Sequence, residues 1–240
     1  MQILVPMAGE GSRFPKSKYP KPKPLIEIDN KPMIYHAVNT LGINGKYFFL
    51  VRNNEHSDEI LHNIKNNFTN YHIKFTDKLT KGPACSCLLF EDIINGNDEL
   101  VIANCDQIMW WNSEQFLSAA RNFTIDGLVV TYTCDTKKNS FAQINREGFV
   151  TQMKEKEVIS NISLNGIHYW RKASYFFDSA KQMIKNNDTA PNGEFYVAPT
   201  YNYMIAKGFN IGIHHIPNYQ HHSVGVPEDL EKYKKLIDTI

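Results

Sequence analysis

The stretch I-L-V-P-M-A-G-E-G-S-R-F-P-K-S-K-Y-P-K-P-K-P-L-I, residues 3–26, joins a short apolar run to a loop rich in glycine, proline and cations. Ile3 to Met7 is too apolar to alternate and stops at a glycine turn, the pattern of a strand buried on both faces. From Gly11 to Ile26 there are five cations (Arg13, Lys16, Lys18, Lys21, Lys23) and no acidic residue. The 240-residue chain has a formal net charge of only +1, so this segment reads as a local anion trap. Three phosphate loops compete for it. A dinucleotide fingerprint requires a third glycine where Phe14 stands, and a helix that begins at once. Pro15, Pro20, Pro22 and Pro24 forbid that helix, since each removes an amide donor and constrains its neighbour. A Walker loop requires Gly-Lys-Ser/Thr after four intervening residues, and no such run occurs. What remains is a long, proline-stiffened loop that wraps a polyphosphate from the end of a strand. Gly9 and Gly11 would let backbone N–H groups approach the phosphate oxygens.

The rest of the first half repeats the strand–helix alternation. Pro32 starts an amphipathic helix bearing Met33, Ile34, Ala37, Val38 and Leu41, which ends near Gly42. Strands are expected at 47–51, 72–75 and 100–103, with helices at 57–67 and 84–94. Strands this apolar predict an α/β, Rossmann-like mixed and mostly parallel sheet with helices on both faces. From residue 128 the strands at 128–133, 141–144, 149–154 and 165–170 are separated by turns, which predicts antiparallel pairing. Helices at 172–186 and 195–207, a strand at 210–216 and a helix from Pro227 complete the chain. No repeat, low-complexity tract or linker divides it, so residues 1–240 read as a single domain.

Bulk properties narrow the function. Hydrophobic residues at 42% and charged residues at 21% are ordinary for a globular protein, and the near-zero charge gives no field favouring nucleic acid or an anionic membrane. No apolar stretch approaches the roughly 18 residues that suggest a membrane span. The N-terminus lacks the charged start and long apolar run of a signal peptide, so a cytoplasmic location is expected. Cys85 and Cys87 have no second Cys or His pair at zinc spacing. With Cys105 and Cys134 they read as free thiols in a reducing compartment, those at 85 and 87 buried in a helix.

Val5 to Leu25, followed by Lys31-Pro32-Met33-Ile34, resembles the sugar-nucleotide pyrophosphorylase and cytidylyltransferase superfamily. Its signature runs G-x-G-[ST]-R, a spacer, then P-K-P-L. The matching residues are Gly9, Gly11, Ser12, Arg13, Pro22, Lys23, Pro24 and Leu25. The resemblance implies a GT-A-like nucleotidyltransferase fold, with a nucleotide-binding half at 1–125 and an acceptor-binding half at 126–240. It places Met7, Ala8, Gly9, Gly11 and Ser12 along the triphosphate. Arg13 would contact the β- and γ-phosphates, and Lys23 would stabilise charge around the α-phosphate. Asp106 follows the apolar strand in L-V-I-A-N-C-D-Q, at the strand end where open α/β sheets bind ligands. By the resemblance Asp106 holds Mg²⁺, with Asn104 on the nucleotide side.

The family's second metal ligand is an aspartate in a late W-x-D-x-G-T segment. Here His221-His222-Ser223-Val224-Gly225 puts Ser223 in its place. Asp106 with phosphate oxygens and water would suffice for Mg²⁺, which needs few protein ligands; His221 or His222 is the alternative. Gly82, Pro83 and Ala84 resemble the turn whose backbone reads the nucleobase, although Pro83 removes one donor. Lys156 matches the family's E-K-P lysine that holds the acceptor phosphate. Asn165 and Gly166 match its G-[IL]-Y strand, and Glu194 in N-G-E-F-Y would bind acceptor hydroxyl or amino groups. Trp110 and Trp111 either wall the acceptor pocket or pack in the core.

The activity these residues imply is transfer of a nucleoside monophosphate from a pyrimidine triphosphate to a small phosphorylated acceptor, releasing pyrophosphate. The segments C-x-x-L-L-F, N-C-D-Q and N-G-E-F-Y-V-A-P-x-Y-N resemble a short branch with capsule and surface-polysaccharide functions. That branch includes CTP:phosphoglutamine- and CTP:phosphocholine-type cytidylyltransferases, which favours CTP over UTP or dTTP. A glycosyltransferase would need a D-x-D-type pair, which Asp106-Gln107-Ile108 does not supply. A non-catalytic nucleotide-binding protein draws support from Ser223. No nucleic-acid or membrane partner is implied, and a homo-oligomer stays open.

Overall fold

Burial on both faces is what the composition of the first strand demands, and the computed structural model, which describes residues 1–239, puts that strand in mid-sheet. In chain order the first half contains β1 (Gln2–Pro6), β2 (Glu27–Ile28), β3 (Lys31–Pro32), α1 (Met33–Leu41), β4 (Lys46–Arg52), α2 (Ser57–Asn67), β5 (Tyr71–Thr76), α3 (Pro83–Leu88), β6 (Leu100–Ala103), β7 (Gln107–Met109) and α4 (Ser113–Ala120). The second half contains β8 (Gly127–Thr133), β9 (Ser140–Ile144), β10 (Val150–Glu155), β11 (Ile162–Trp170), α5 (Ala173–Lys185), α6 (Thr200–Ile205), β12 (Ile211–His215), β13 (His221–Ser223) and α7 (Pro227–Ile237).

β1 runs parallel to β4 on one side and to β6 on the other, and β5 extends the parallel half beyond β4. β11 then enters antiparallel to β6, with Tyr169 opposite Val101, and carries β8 and β9 on its far edge. The expected mixed sheet is therefore parallel through its first half and largely antiparallel through its second. Alternation decides which helices cover which face. Ile3, Val5 and Phe49 point to one side and pack with apolar residues of α1, α2 and α4. Leu4, Phe48 and Leu50 point to the other, where residues of α3, α5 and α6 meet them. On that side Trp170 stacks flat on Tyr201, with ring centroids 4.6 Å apart, and the Tyr201 hydroxyl donates to the Tyr169 carbonyl at 2.9 Å.

Two helices are shorter than their sequence patterns suggested. The segment 84–94 is α-helical only to Leu88. Beyond it, the N–H groups of Leu89, Phe90, Glu91 and Ile93 bond three residues back, so the chain tightens into successive turns while Phe90 and Ile94 stay buried. The segment 195–207 is helical only from Thr200 to Ile205. Its first residue is pulled away: Phe195 N–H donates to the Lys81 carbonyl at 2.8 Å, and its own carbonyl accepts from Ala84 N–H at 3.0 Å. Cys87 and Cys105 are buried, and burial pushes the Cys105 thiol up to about 11; Cys85, expected to be buried, is half-buried, as is Cys134. Among the described residues no helix is long and apolar enough to cross a membrane.

Candidate active site

The parallel half reverses direction of growth at β1, since β4 lies on one side and β6 on the other, and ligands bind outside strand C-termini at such a point. The loop after β1 and the Asn104–Asp106 turn after β6 emerge there side by side. A cavity of about 310 Å³ is lined by Met7, Gly9, Gly11, Ser12, Arg13 and Lys23. A second, of about 210 Å³, is lined by Asn104, Asp106, Lys156, Asn165 and Gly166 among others. Arg13, Pro83 and Gly225 wall both, so the two cavities adjoin. These residues, drawn from six separate stretches of sequence, thus meet in one cleft.

Four of the expected site residues stand off its lining. Ala8 is buried with the core, and Gly82 and Ala84 lie behind Pro83. The Ala84 N–H is already committed to Phe195, so the pyrrolidine face of Pro83 is what this turn presents to the cleft. Gly82 is required by that strap: its φ is +118°, and a Cβ would run into the Phe195 backbone. Glu194 accepts from the Tyr196 hydroxyl at 2.7 Å and from Asn192 Nδ2 at 2.8 Å, behind the cavity wall that Tyr196 forms.

The basic loop is less free than its sequence suggested. Lys18 pairs with Glu231, Lys21 with Glu59 and Glu27, and Lys23 with Asp106. Arg13 and Lys16 alone of the five make no carboxylate contact among the described residues. Phe14, Tyr19 and Ile26 pack against Ile108, Val224, Leu230 and Tyr233, and the Tyr19 hydroxyl donates to Glu231 at 3.1 Å. The loop is therefore fastened to α7, which holds Arg13 and Lys23 at the cleft. Burial works against the Lys23 ammonium, yet the adjoining Asp106 carboxylate, with a smaller contribution from Cys105, leaves its pKa above the usual lysine value. The side chain stays cationic at neutral pH.

β13 pairs antiparallel with β7, Ser223 opposite Gln107, and this brings Ser223 beside Asp106. The two histidines before it, the alternative metal ligands of the sequence reading, are engaged in other contacts. His221 shares a hydrogen bond with the Gln107 side chain, and burial lowers it to about 4, so it is neutral at physiological pH. His222 clusters with Trp110, at 4.3 Å, and Tyr233, at 5.2 Å, whose own rings lie 6.1 Å apart. Neither tryptophan lines the cleft: Trp110 covers His222, and Trp111 packs on Phe116 and donates to the Thr40 and Leu41 carbonyls. Among the described residues no group of three His, Cys, Asp or Glu could hold a metal. Asp106 is left as the carboxylate at the junction, a donor set that suits a cation which takes one or two carboxylates and completes its shell with phosphate and water.

On the acceptor side Lys156 donates to the Tyr196 hydroxyl at 2.5 Å. Glu155, Ser140, Asn139 and His168 share its cavity and were not singled out in the sequence, though Glu155 belongs to the same Glu-Lys pair as Lys156. Burial pushes the Glu155 carboxyl up, partly offset by its bond from the Ser140 hydroxyl. Gly166, with φ +94°, lets β11 pass so close to Asn104 that a Cβ would overlap the amide. The Asn104 N–H donates to the Gly166 carbonyl at 3.2 Å. Gly166→Ala is accordingly expected to cost about 1–3 kcal/mol of stability, through backbone strain and displacement of Asn104. Urea unfolding measures this, and an unchanged midpoint would overturn both the strain and the displacement.

No family model matches the chain. In sequence it is similar to the low-salt glycan biosynthesis nucleotidyltransferase of Haloferax volcanii, 23% identical over 99% of this chain and 66% of that protein. It is also similar to the UTP–glucose-1-phosphate uridylyltransferase of the same organism, 24% identical over 97% of this chain and 94% of that protein. The chain thus spans just under two thirds of the first relative's length and nearly all of the second's. Among solved structures, the nucleoside-diphosphate-sugar pyrophosphorylase from Vibrio cholerae superposes with a TM-score of 0.84 at 22% identity, covering 97% of this chain and 99% of that one. The fold is therefore the Rossmann-like nucleotidyltransferase fold, and the sequence likeness supports the sugar-nucleotide pyrophosphorylase superfamily.

Proposed function

We propose that the chain is a nucleotidyltransferase that joins a pyrimidine nucleoside triphosphate to a sugar 1-phosphate and releases pyrophosphate, with UTP the first donor to test. The observation that carries this reading is the pair of adjoining cavities, one walled by the glycine loop, the other holding Lys156, with Arg13 common to both and Lys23–Asp106 at their junction. The acceptor phosphate sits on Lys156, and one of its oxygens attacks the α-phosphorus. The bond from the α-phosphorus to the bridging oxygen breaks, and the electron pair leaves with pyrophosphate on the side of Arg13. The nucleophile is already anionic, so no general base is required; positioning and charge neutralisation do the catalysis. Mg²⁺ held by Asp106 would supply further neutralisation of the phosphates.

UTP takes first place because one of the sequence relatives is a UTP–glucose-1-phosphate uridylyltransferase. The CTP preference favoured by C-x-x-L-L-F, N-C-D-Q and N-G-E-F-Y-V-A-P-x-Y-N rests on those segments alone, and a part in capsule or surface-polysaccharide precursor synthesis stands or falls with it. Pyrophosphate release from each of UTP, CTP, dTTP and ATP, with glucose 1-phosphate and Mg²⁺, decides among them. Turnover is expected with UTP above the others. Release with ATP alone overturns the pyrimidine reading, and triphosphate binding without release points to a nucleotide-binding protein.

A further inference from the structure

Lys156 is held in an unusual way. Its backbone takes φ +58°, a left-handed conformation that a residue with a Cβ keeps only where its surroundings fix it, and its N–H donates to the Asn139 carbonyl at 2.9 Å. Its ammonium lies beyond the hydroxyl edge of the Tyr196 ring, 4.7 Å from the centroid, and donates to the hydroxyl. That hydroxyl accepts a second bond from Asn192 Nδ2 at 3.1 Å and spends its one proton on Glu194. Its hydrogen-bonding capacity is complete. Lys23 and Lys138, the other lysines of the cleft, pair directly with the carboxylates of Asp106 and Asp229. Lys156 alone meets a neutral phenol, with the Glu194 carboxylate on the phenol's far side, while Glu155 in the same cavity is held by the Ser140 hydroxyl.

We infer that Tyr196 is a positioning residue that stands between Lys156 and Glu194, keeping the ammonium free of a carboxylate so that it meets the acceptor phosphate uncompensated. The inference rests on the reading of Lys156 given under Proposed function. Without the phenol oxygen, Lys156 and Glu194 face each other across the edge of the ring. They then close into an ion pair that acceptor binding must break. Burial and the Glu194 contact raise the Tyr196 pKa, so the phenol stays protonated and neutral throughout the working pH range.

Tyr196→Phe is expected to raise the KM for glucose 1-phosphate about tenfold while the triphosphate KM stays put. Adding Glu194→Gln removes the competing charge and is expected to bring the acceptor KM back to within about threefold of wild type. A merely structural tyrosine would give a double variant no better than the single one. Acylation by acetic anhydride, followed by mass spectrometry of Lys156, reads the same contact without turnover. Labelling should slow in Tyr196→Phe and recover in the double variant. An unmoved acceptor KM, or a double variant that fails to recover in either assay, overturns the spacer role. A wild-type protein that releases no pyrophosphate overturns the function proposed above, and the labelling series then still decides the geometry.

Discussion

Lys23→Ala is expected to lower pyrophosphate release by roughly 10²–10³-fold, the scale of one well-placed electrostatic donor acting on charge that develops in the transition state. Two features of the structure make Lys23 the most sensitive of the loop cations. Its ammonium lies at the junction of the two cavities, where the α-phosphorus must sit if the triphosphate follows the glycine loop and the acceptor follows Lys156. Its partner Asp106 is the carboxylate proposed to hold Mg²⁺, so deleting the lysine also removes a contact that fixes that carboxylate. The loss should fall on kcat more than on the triphosphate KM, because charge on the α-phosphoryl oxygens grows during attack. Lys18→Ala and Lys21→Ala provide the contrast. Both lysines are spent on exposed or partly exposed glutamates, in pairs that solvent screens, and should leave turnover within about threefold of wild type. Initial-rate assays with Mg²⁺ present check all three. A Lys23→Ala protein within tenfold of wild type would remove Lys23 from the chemistry.

The contrast among those lysines shows where sequence reasoning stops. The apolar run Ile3–Met7, the proline-blocked loop and the strand ending at Asn104-Cys105-Asp106 carry their meaning locally, through burial, backbone restriction and strand-end position. They gave the parallel half of the sheet and placed both motif halves on one edge. The partners of Lys18 and Lys21 are not local: Glu231 lies on α7, and Glu59 on α2. Nothing in a window around the loop could reveal that these charges are neutralised. The same holds for the Phe195 strap, which takes the Ala84 N–H and draws residue 195 out of the expected 195–207 helix, and for His222, whose neighbours Trp110 and Tyr233 arrive from β7's end and α7. Tyr196 was legible only as part of N-G-E-F-Y, because its spacing role depends on a lysine 40 residues earlier. Period and burial are written along the chain; the pairing of charges and rings is decided when the elements pack.

At His168, packing ties stability to pH. It is 5% exposed and packs beside the stacked pair of Trp170 and Tyr201, with both ring centroids 6.0 Å away, and its Nδ1 has no hydrogen-bond partner among the described residues. Burial lowers its pKa from 6.5 to about 3. As pH falls below the unfolded value, the unfolded chain takes up the proton first, so stability present above 6.5 is lost on the way down towards 3. Between about pH 7 and pH 4.5 this one site should remove roughly 2 kcal/mol, a large share of a typical folding free energy. Glu155 works in the opposite sense: its carboxyl is raised by burial, so acidification relieves it and offsets part of the loss. The clean measurement is therefore a difference. His168→Met removes the titration and leaves Glu155 in place, and urea unfolding of both proteins across that pH range should show the variant losing less stability than wild type. The variant's stability at neutral pH is immaterial to the comparison, since only the slopes enter. Parallel slopes would mean that the imidazole takes up its proton as readily in the folded protein as in the unfolded chain, and that the cavity beside it admits enough water to solvate the charge.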